Sequence, residues 1–248
     1  RGDGERAMQV ALRARGMLPS GAAGAWVLRG VVQELQPYAQ AYAGWCGDAP
    51  PETLPVEATV NGIRLHAQMR DVLPRGVVRV RFGKHNGPSA IRNGLDWLLL
   101  NAAESALPLV EVMQDADGEI GAYPRRRIDT AQARDALQAL LSLRADGLQQ
   151  PLPFAPYSGW EFFSADTRER GINKAAARWR GGHGSWGEGD SEALRLALRG
   201  RDPFADEVAL QQFADAAYTV FGALCDGIAA DAPDVHACLP EDDAEDAA

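Results

Sequence analysis

The stretch of residues 76–97 reads GVVRVRFGKHNGPSAIRNGLDW, and its pattern is the main guide to the fold class. In its first part Val78 and Val80 alternate with Arg79 and Arg81. Alternation at a period of two is typical of a β-strand, and it predicts that one face of this strand is wet and cationic. A loop containing glycine and asparagine follows, and an apolar-rich segment from residue 91 predicts a helix. The stretch therefore predicts strand, turn and helix in succession.

The positive charge of this region contrasts with the rest of the chain. Between Gly62 and Gly94 there are seven Lys or Arg and a single acidic residue, Asp71, whereas the whole chain of 248 residues has a formal net charge of −9. Overall acidity does not exclude nucleic-acid binding, because the local distribution of charge determines where a polyanion binds. The region predicts contact with phosphates or with an acidic partner surface.

Composition excludes several other classes of protein. The hydrophobic fraction of 46% and the charged fraction of 24% are typical of a packed globular protein. No apolar run approaches the roughly 20 residues that span a bilayer. Three cysteines at wide spacings do not form a disulfide framework, which favours a reducing cytoplasm. Cys225, His236 and Cys238 lack the fourth ligand and the CxxC spacing of a structural zinc site, so we expect no metal there.

The segments before and after residues 76–97 predict the strands and helices that flank this stretch. VEATV (56–60) and IRLHAQMRDVL (63–73) flank Asn61-Gly62, a strong signal for a β-hairpin. Two helical segments precede this hairpin, and the second contains Pro37. After the opening stretch come a strand at LPLVEVMQ (107–114), a hairpin or edge element at ADGEIGAYPRRR (116–127) and an amphipathic helix ending at Gly147. Further helices are predicted towards the C-terminus.

This order of elements predicts the fold class. Helix, antiparallel strands, strand, helix and strand make a mixed α/β core and not a regular βαβ series. The order is the layout of the restriction-endonuclease-like, or PD-(D/E)xK, fold, with a mixed sheet flanked by helices and additional C-terminal helices. We assign residues 1–224 to this domain, as a fragment of a longer chain. Residues 225–248 hold eight acidic residues and no Lys or Arg, so a disordered acidic tail is predicted.

Catalysis in that fold needs carboxylates that this chain lacks. An acid on the second strand and an acid-x-Lys pattern on the third hold Mg²⁺ and position the attacking water. Placing the pattern here puts Arg70 or Asp71 at the first acid, Arg79 at the second and Arg81 at the lysine. An arginine cannot ligate Mg²⁺ and repels it. The sequence therefore predicts an inactivated nuclease-like domain that is not an enzyme and needs no metal or cofactor.

Several motifs in a fixed order carry a resemblance to a known family. They are VVRVRFGK (77–84), AIRNGLDWLLLNAA (90–103), ALQALLSLRADGLQQPLPFAP (136–156), NKAAARWRG (173–181) and GEGDSEALRLALRG (187–200). From about residue 20 to about residue 222 the chain resembles the C-terminal domain of the RecC family, the gamma subunit of exodeoxyribonuclease V in the RecBCD complex.

The resemblance implies a noncatalytic domain in a cytoplasmic helicase–nuclease that processes double-strand breaks for recombinational repair. The implied partners are DNA, as a duplex end and as separated single strands, and RecB-like and RecD-like motor subunits. No membrane is implied. The domain would guide DNA and dock against the other subunits.

Two sets of residues are the candidates for these contacts. The candidates for DNA binding are the cations of the predicted third strand, its loop and a later arginine run: Arg70, Arg79, Arg81, Lys84, His85, Arg125, Arg126 and Arg127. Each of them has the alternative of being an ordinary solvated surface charge. The candidates for partner binding lie in the segment PLPFAPYSGWEFF (151–163), which its prolines predict to be an extended strap: Phe154, Tyr157 and Trp160.

Two further functions stay open at this point. An active Mg²⁺-dependent nuclease would have to recruit Asp71 together with Glu57 or Glu111 as ligands. A pure interaction scaffold would never touch DNA. The glycine-rich loop from Gly181 to Gly189 lacks the Gly-Lys-Ser/Thr of a phosphate-binding loop and is interpreted as a flexible connector.

Overall fold

A computed structural model describes residues 2–47, 49–182 and 184–229. Its centre is a five-stranded sheet whose spatial order is the chain order, β1-β2-β3-β4-β5. The strands are β1 (Glu52–Val60), β2 (Ile63–Leu73), β3 (Gly76–Val80), β4 (Leu109–Gln114) and β5 (Ile120–Pro124). Neighbouring strands are antiparallel except β3 and β4, which are parallel. The sheet is therefore mixed, as the order of elements predicted.

Eight α-helices surround this sheet within the described residues. They are α1 (Gly2–Ala14), α2 (Gly21–Cys46), α3 (Gly87–Ala102), α4 (Thr130–Gln149), α5 (Pro156–Phe163), α6 (Arg168–Arg180), α7 (Glu192–Leu198) and α8 (Glu207–Asp226). A single 3₁₀ turn, Glu188–Asp190, lies between α6 and α7. The arrangement is compatible with a nuclease-like fold that carries additional C-terminal helices.

The β1–β2 hairpin forms at the predicted turn. Asn61 and Gly62 both have positive φ values, 45° and 81°, which is the conformation of a two-residue hairpin turn that suits the twist of the strands. Further along β2 the register with β1 shifts, and Asp71 adopts a φ of 55° at this irregularity. Such a bulge bends the strand and disrupts the ladder locally.

The crossover from β3 to β4 runs through helix α3. This helix begins at Gly87, four residues before the apolar segment that predicted it, because a capping box holds its first turn. The Ser89 backbone N–H donates to Asn86 Oδ1 at 3.1 Å, and the Asn86 N–H donates to Ser89 Oγ at 3.0 Å. Polar side chains therefore extended the helix beyond its apolar stripe.

Both faces of the central strands are covered. Helix α2 packs on one face, where Tyr38 and Val78 belong to the same buried cluster. Helices α3, α4 and α8 pack on the other, where Val77, Trp97 and Leu224 belong to another buried cluster. The expectation that β3 has a wet, cationic face was wrong, since a strand with a parallel neighbour usually has helices on both of its faces.

The C-terminal helices build a further layer against α3. Residues 156–163 are helical, so the expectation of an extended strap holds only for the residues before Pro156, which opens helix α5. Proline is well tolerated in a first turn, and a run of aromatic residues then supplies the buried face. Helix α8 runs to Asp226, so the predicted start of the tail at residue 225 falls inside it. Residues 230–248, with His236 and Cys238, lie outside the described residues.

Among the helices of the described ranges, none is long and apolar enough to cross a membrane.

Candidate functional site

The site lies where α3 crosses β3 and β4, at the position expected for nuclease carboxylates. Arg79 on β3 is bound there by Asp96 of α3, with Nε and Nη2 at 2.8 and 2.7 Å from Oδ2. Its Nη1 also donates to the Arg70 carbonyl at 2.6 Å, next to the bulge in β2. The Arg79 side chain is only 15% exposed. The arginine at the predicted second acid position is therefore neutralised inside the domain.

Glu111 on β4 is the register partner of Arg79 and the centre of a second network. The carboxylate accepts a hydrogen bond from Asn93 Nδ2 at 2.8 Å and lies 3.1 Å from His85 Nε2 and 3.6 Å from Arg125 Nε. The residue is 6% exposed. A buried carboxylate needs such partners, because taking an unpaired charge out of water is costly.

The same partners determine how Glu111 titrates. Burial by itself raises the pKa of this carboxyl, but the hydrogen bond and charge of His85, the charge of Arg125 and the hydrogen bond from Asn93 outweigh burial and hold the pKa below its ordinary value. Glu111 is therefore ionised at neutral pH and committed to protein partners.

Arg125 connects this network to the end of α8. Its guanidinium stacks over the Trp97 ring at 4.5 Å, and Nη2 donates to the Leu224 and Cys225 carbonyls at 2.9 and 3.3 Å. Arginine suits such a position because its planar fork bonds to oxygens while its face stacks on an indole. Burial raises the pKa of the neighbouring Cys225 thiol to about 11, although the charge of Arg125 acts in the opposite direction. This thiol is therefore neutral at physiological pH.

The carboxylates of the alternative nuclease hypothesis have other surroundings. Glu57 pairs with His66 at 3.1 Å on the exposed β1–β2 hairpin, Asp71 is exposed at the bulge, and Glu111 is buried in its network. In the ranges that the structure covers, no group of three or more His, Cys, Asp or Glu side chains is placed to hold a metal ion.

The remaining predicted DNA-binding cations fall into two groups. Arg81, Lys84 and Arg127 donate to backbone carbonyls, those of Lys84, Ala116 and Ser105 respectively, at 2.6 to 2.7 Å. Arg70 and Arg126 are exposed, and their side chains make no hydrogen bond or ion pair with any other described residue. These two are the cations of the predicted set with the most freedom to meet a ligand.

The aromatic residues predicted to bind a partner point inward. Trp160 lies 5.3 Å from the Phe221 ring and 6.0 Å from His85, and Phe154 lies 5.9 Å from Phe221. Tyr157 lies under the Arg178 guanidinium at 4.7 Å. All three aromatic residues are half-buried, so only part of each side chain is available to a partner.

Exposed apolar residues are found instead on the first helices. On α2, Trp26 is 73% exposed, and Val31 and Val32 are also exposed. Met8 and Val10 on α1 are exposed as well. Of these five, Trp26 and Val31 line the same pocket. We call the five residues the α1–α2 apolar residues.

Sequence reasoning missed the polar residues that α3 turns toward the sheet. Ser89, Asn93 and Asp96 follow one another at spacings of four and three, which places them on one side of the helix. Polar side chains at helical spacing within a segment that otherwise reads as buried are the signal that would have identified them. Ser89 bonds to its near neighbour Asn86, but the partners of Asn93 and Asp96 lie 18 and 17 residues away and carried no such signal.

Glu188 was also missed, and it organises the glycine-rich loop. This carboxylate is 2% exposed and accepts hydrogen bonds from the Tyr157 N–H at 2.9 Å, the Ser158 N–H at 2.6 Å and the Ser158 hydroxyl at 2.8 Å. It thereby caps α5, whose own N-cap residue, Ala155, has no capping side chain. The C-terminal end of this loop, interpreted from the sequence as a flexible connector, is therefore fixed to α5 by Glu188.

Comparison with protein families supplies the identification. Residues 2–167, more than half of the chain, match the RecC C-terminal domain. The chain belongs to the RecC C-terminal domain family. Membership of the RecC family implies a role in DNA processing as part of a RecBCD complex. A search of curated proteins found no match. The motifs NKAAARWRG (173–181) and GEGDSEALRLALRG (187–200) lie beyond the matched residues.

Proposed function

We propose that this RecC-family chain is a noncatalytic domain that guides DNA and docks against other subunits of a cytoplasmic RecBCD-type helicase–nuclease. The observation that carries the proposal is the pairing of Arg79 with Asp96 where a nuclease of this fold holds its second metal-binding acid.

The chemistry of the site supports the absence of catalysis. A metal-dependent nuclease needs carboxylates that can give their oxygens to Mg²⁺ while water reaches the ion. The carboxylate nearest in register to Arg79 is Glu111, which is buried and shared among Asn93, His85 and Arg125. A divalent cation would have to displace these partners and then sit beside two arginines. Repulsion and the lost hydrogen bonds both oppose this.

Guidance of DNA is supported by the free cations near the site. Arg70 and Arg126 are exposed and lack side-chain partners among the described residues, so they can neutralise phosphates without breaking an internal contact. The partly buried cations Arg79 and Arg125 connect the surrounding elements through their internal contacts. In this proposal the DNA is a duplex end with its separated single strands.

Docking is supported by the α1–α2 apolar residues. Exposed apolar residues that lie together, as Trp26 and Val31 do, often mark protein–protein contacts, and tryptophan is a frequent anchor in interfaces. Family membership implies that other subunits of a RecBCD complex lie next to this chain, and we propose that a RecB-like or RecD-like motor subunit covers Trp26.

The test of DNA guidance measures cleavage of DNA by the purified chain and binding of DNA by the assembled complex. We expect no Mg²⁺-dependent cleavage by the purified chain, and we expect Arg70→Glu with Arg126→Glu to weaken DNA binding by the complex and to flatten its salt dependence. Arg15→Glu with Arg144→Glu is the control, because it makes the same change in net charge at other exposed arginines.

The outcomes separate three functions. Cleavage that disappears in Asp71→Asn identifies an active nuclease and overturns the proposal. Unchanged DNA affinity and salt slope in the Arg70/Arg126 variant favour a scaffold that does not contact DNA. For docking, Trp26→Ala should reduce co-purification with the motor subunits while the melting temperature of the chain stays within about 2 °C, since a surface substitution changes stability by less than about 0.5 kcal/mol.

A further inference from the structure

A second basic surface lies in the part of the chain beyond the family match. Residues 168–201 contain eight Arg or Lys and four acidic residues, although the whole chain is acidic. One of these acids, Glu188, is buried and accepts hydrogen bonds from the start of α5. The local excess of positive charge is therefore larger at the surface than the composition of this segment suggests.

Three arginines of this segment line one pocket of about 350 Å³. Arg180 ends α6, Arg195 lies on α7, and Arg201 follows α7. All three are exposed, and their side chains have neither a hydrogen bond nor an ion pair within the described ranges. Asp190 and Asp202 also line the pocket, and Oδ1 of Asp202 accepts the Phe204 N–H at 2.9 Å. We call this the three-arginine pocket.

The backbone around the pocket is held in place from beneath. Glu188 anchors the loop to α5, and the next residue, Gly189, passes so close to Trp179 that a Cβ there would lie 2.8 Å from the indole. The Trp179 residue itself is buried. The backbone beneath the pocket is therefore closely packed, so binding an anion would order the arginine side chains and not the chain that carries them.

An exposed aromatic residue lies on the same loop. The Trp186 residue is 52% exposed, and the Arg178 guanidinium is 5.6 Å from its ring centre. The other contact of Arg178 is the Tyr157 ring at 4.7 Å, which holds the guanidinium between two aromatic rings. Trp186 precedes Gly189, which lines the pocket, by three residues. An exposed indole on the same loop as a basic pocket is a combination that binds single strands, because bases stack on the ring while phosphates meet the cations.

We propose that the three-arginine pocket and Trp186 form a binding site for single-stranded DNA, in which the arginines contact phosphates and the indole stacks on a base. This inference rests on the proposed function in DNA guidance, and it adds a contact outside the residues that match the family. Stacking distinguishes a nucleic acid from an acidic protein segment, which would use the arginines alone.

The test measures binding of fluorescent oligo-dT to the full chain at several salt concentrations. Arg180→Glu, Arg195→Glu and Arg201→Glu together should weaken binding at least about 10-fold and reduce the salt slope by about 2, since each lost phosphate contact on a single strand removes about 0.7. The control reverses Arg6, Arg15 and Arg144, which are exposed and match the change in net charge. It should change affinity less than about 2-fold.

A second pair of variants tests the indole. Trp186→Ala should weaken binding about 10-fold through lost stacking, and Trp186→Phe should restore most of the affinity. The inference is overturned if the two triple variants weaken oligo-dT binding equally. It is also overturned if polyglutamate binds with the affinity of oligo-dT and Trp186→Ala leaves the binding of oligo-dT unchanged. Absence of oligo-dT binding by the wild-type chain also overturns it. The proposed guidance of DNA by Arg70 and Arg126 is tested separately, by the DNA-binding measurement on the assembled complex.

Discussion

Replacing Glu111 by Gln tests whether the buried network at the former metal position is structural. Glutamine keeps the shape of the side chain and an oxygen for Asn93, but it removes the negative charge between His85 and Arg125. The substitution therefore isolates the charge of a residue that is 6% exposed.

The expected size of the effect follows from what remains around Arg125. Removing one partner of a buried ion pair costs about 3–5 kcal/mol. Arg125 keeps two carbonyl contacts and its stacking on Trp97, so we expect the lower end of that range. A loss of about 3 kcal/mol lowers the melting temperature of a domain of this size by roughly 6–12 °C.

The effect should also depend on pH. The folded-state pKa of Glu111 is lowered from an ordinary value of 4.5, so the unfolded chain takes up a proton first as the pH falls. The stability that the charge contributes is present above that ordinary value and is lost as the pH falls through the lowered pKa. The difference in stability between wild type and Glu111→Gln should therefore shrink in acid.

Urea unfolding and thermal melts of both chains at pH 7 and at several values below 4.5 measure these quantities. Glu57→Gln is the matched control, because Glu57 also pairs with a histidine but is 69% exposed in its side chain, and it should cost well below about 1 kcal/mol. If Glu111→Gln melts within about 1 °C of wild type, or if its cost is the same at every pH, the network is not what holds this position together.

Two further substitutions test other parts of the architecture. Glu188→Gln should lower stability by about 2–3 kcal/mol, because the charge-assisted hydrogen bonds that cap α5 are weakened, and a melt within about 2 °C of wild type would show that the loop is not anchored there. Gly94→Ala should lower stability by about 1–3 kcal/mol through overpacking, because a Cβ there would meet the Leu224 backbone oxygen at 2.6 Å. Chemical denaturation measures this loss, and Gly4→Ala, where a Cβ would have open space, is the control.

The buried cations change how the charge of this domain is understood. Seven Lys or Arg between residues 62 and 94 predicted a cationic surface, but Arg79 is neutralised by Asp96 and three other members of the set, Arg75, Arg81 and Lys84, donate to carbonyls. A count of charges along the chain overestimates the free positive surface wherever a carboxylate from another element lies opposite. The unpaired arginines that remain beyond residue 168 are consequently the larger free group.

Elements whose causes are local could be predicted from the amino-acid sequence. Asn61-Gly62 specified the hairpin because both residues tolerate positive φ, and the strand–helix–strand order around residues 76–114 specified a mixed sheet. The motifs of the same region identified the family, which the match over residues 2–167 confirmed.

The partners of the charged and aromatic residues, in contrast, depend on how distant elements pack. Arg79 meets Asp96 across 17 positions of chain, and Arg125 meets the Leu224 carbonyl across 99. Periodicity carries no information on such pairs, because it reports which face of an element is apolar and not which element will cover it. The aromatic residues around Trp160 were turned inward for the same reason, since α8 brought Phe221 against them. Burial favours whichever arrangement pairs each charge and covers each ring, and that choice is made only when the elements pack.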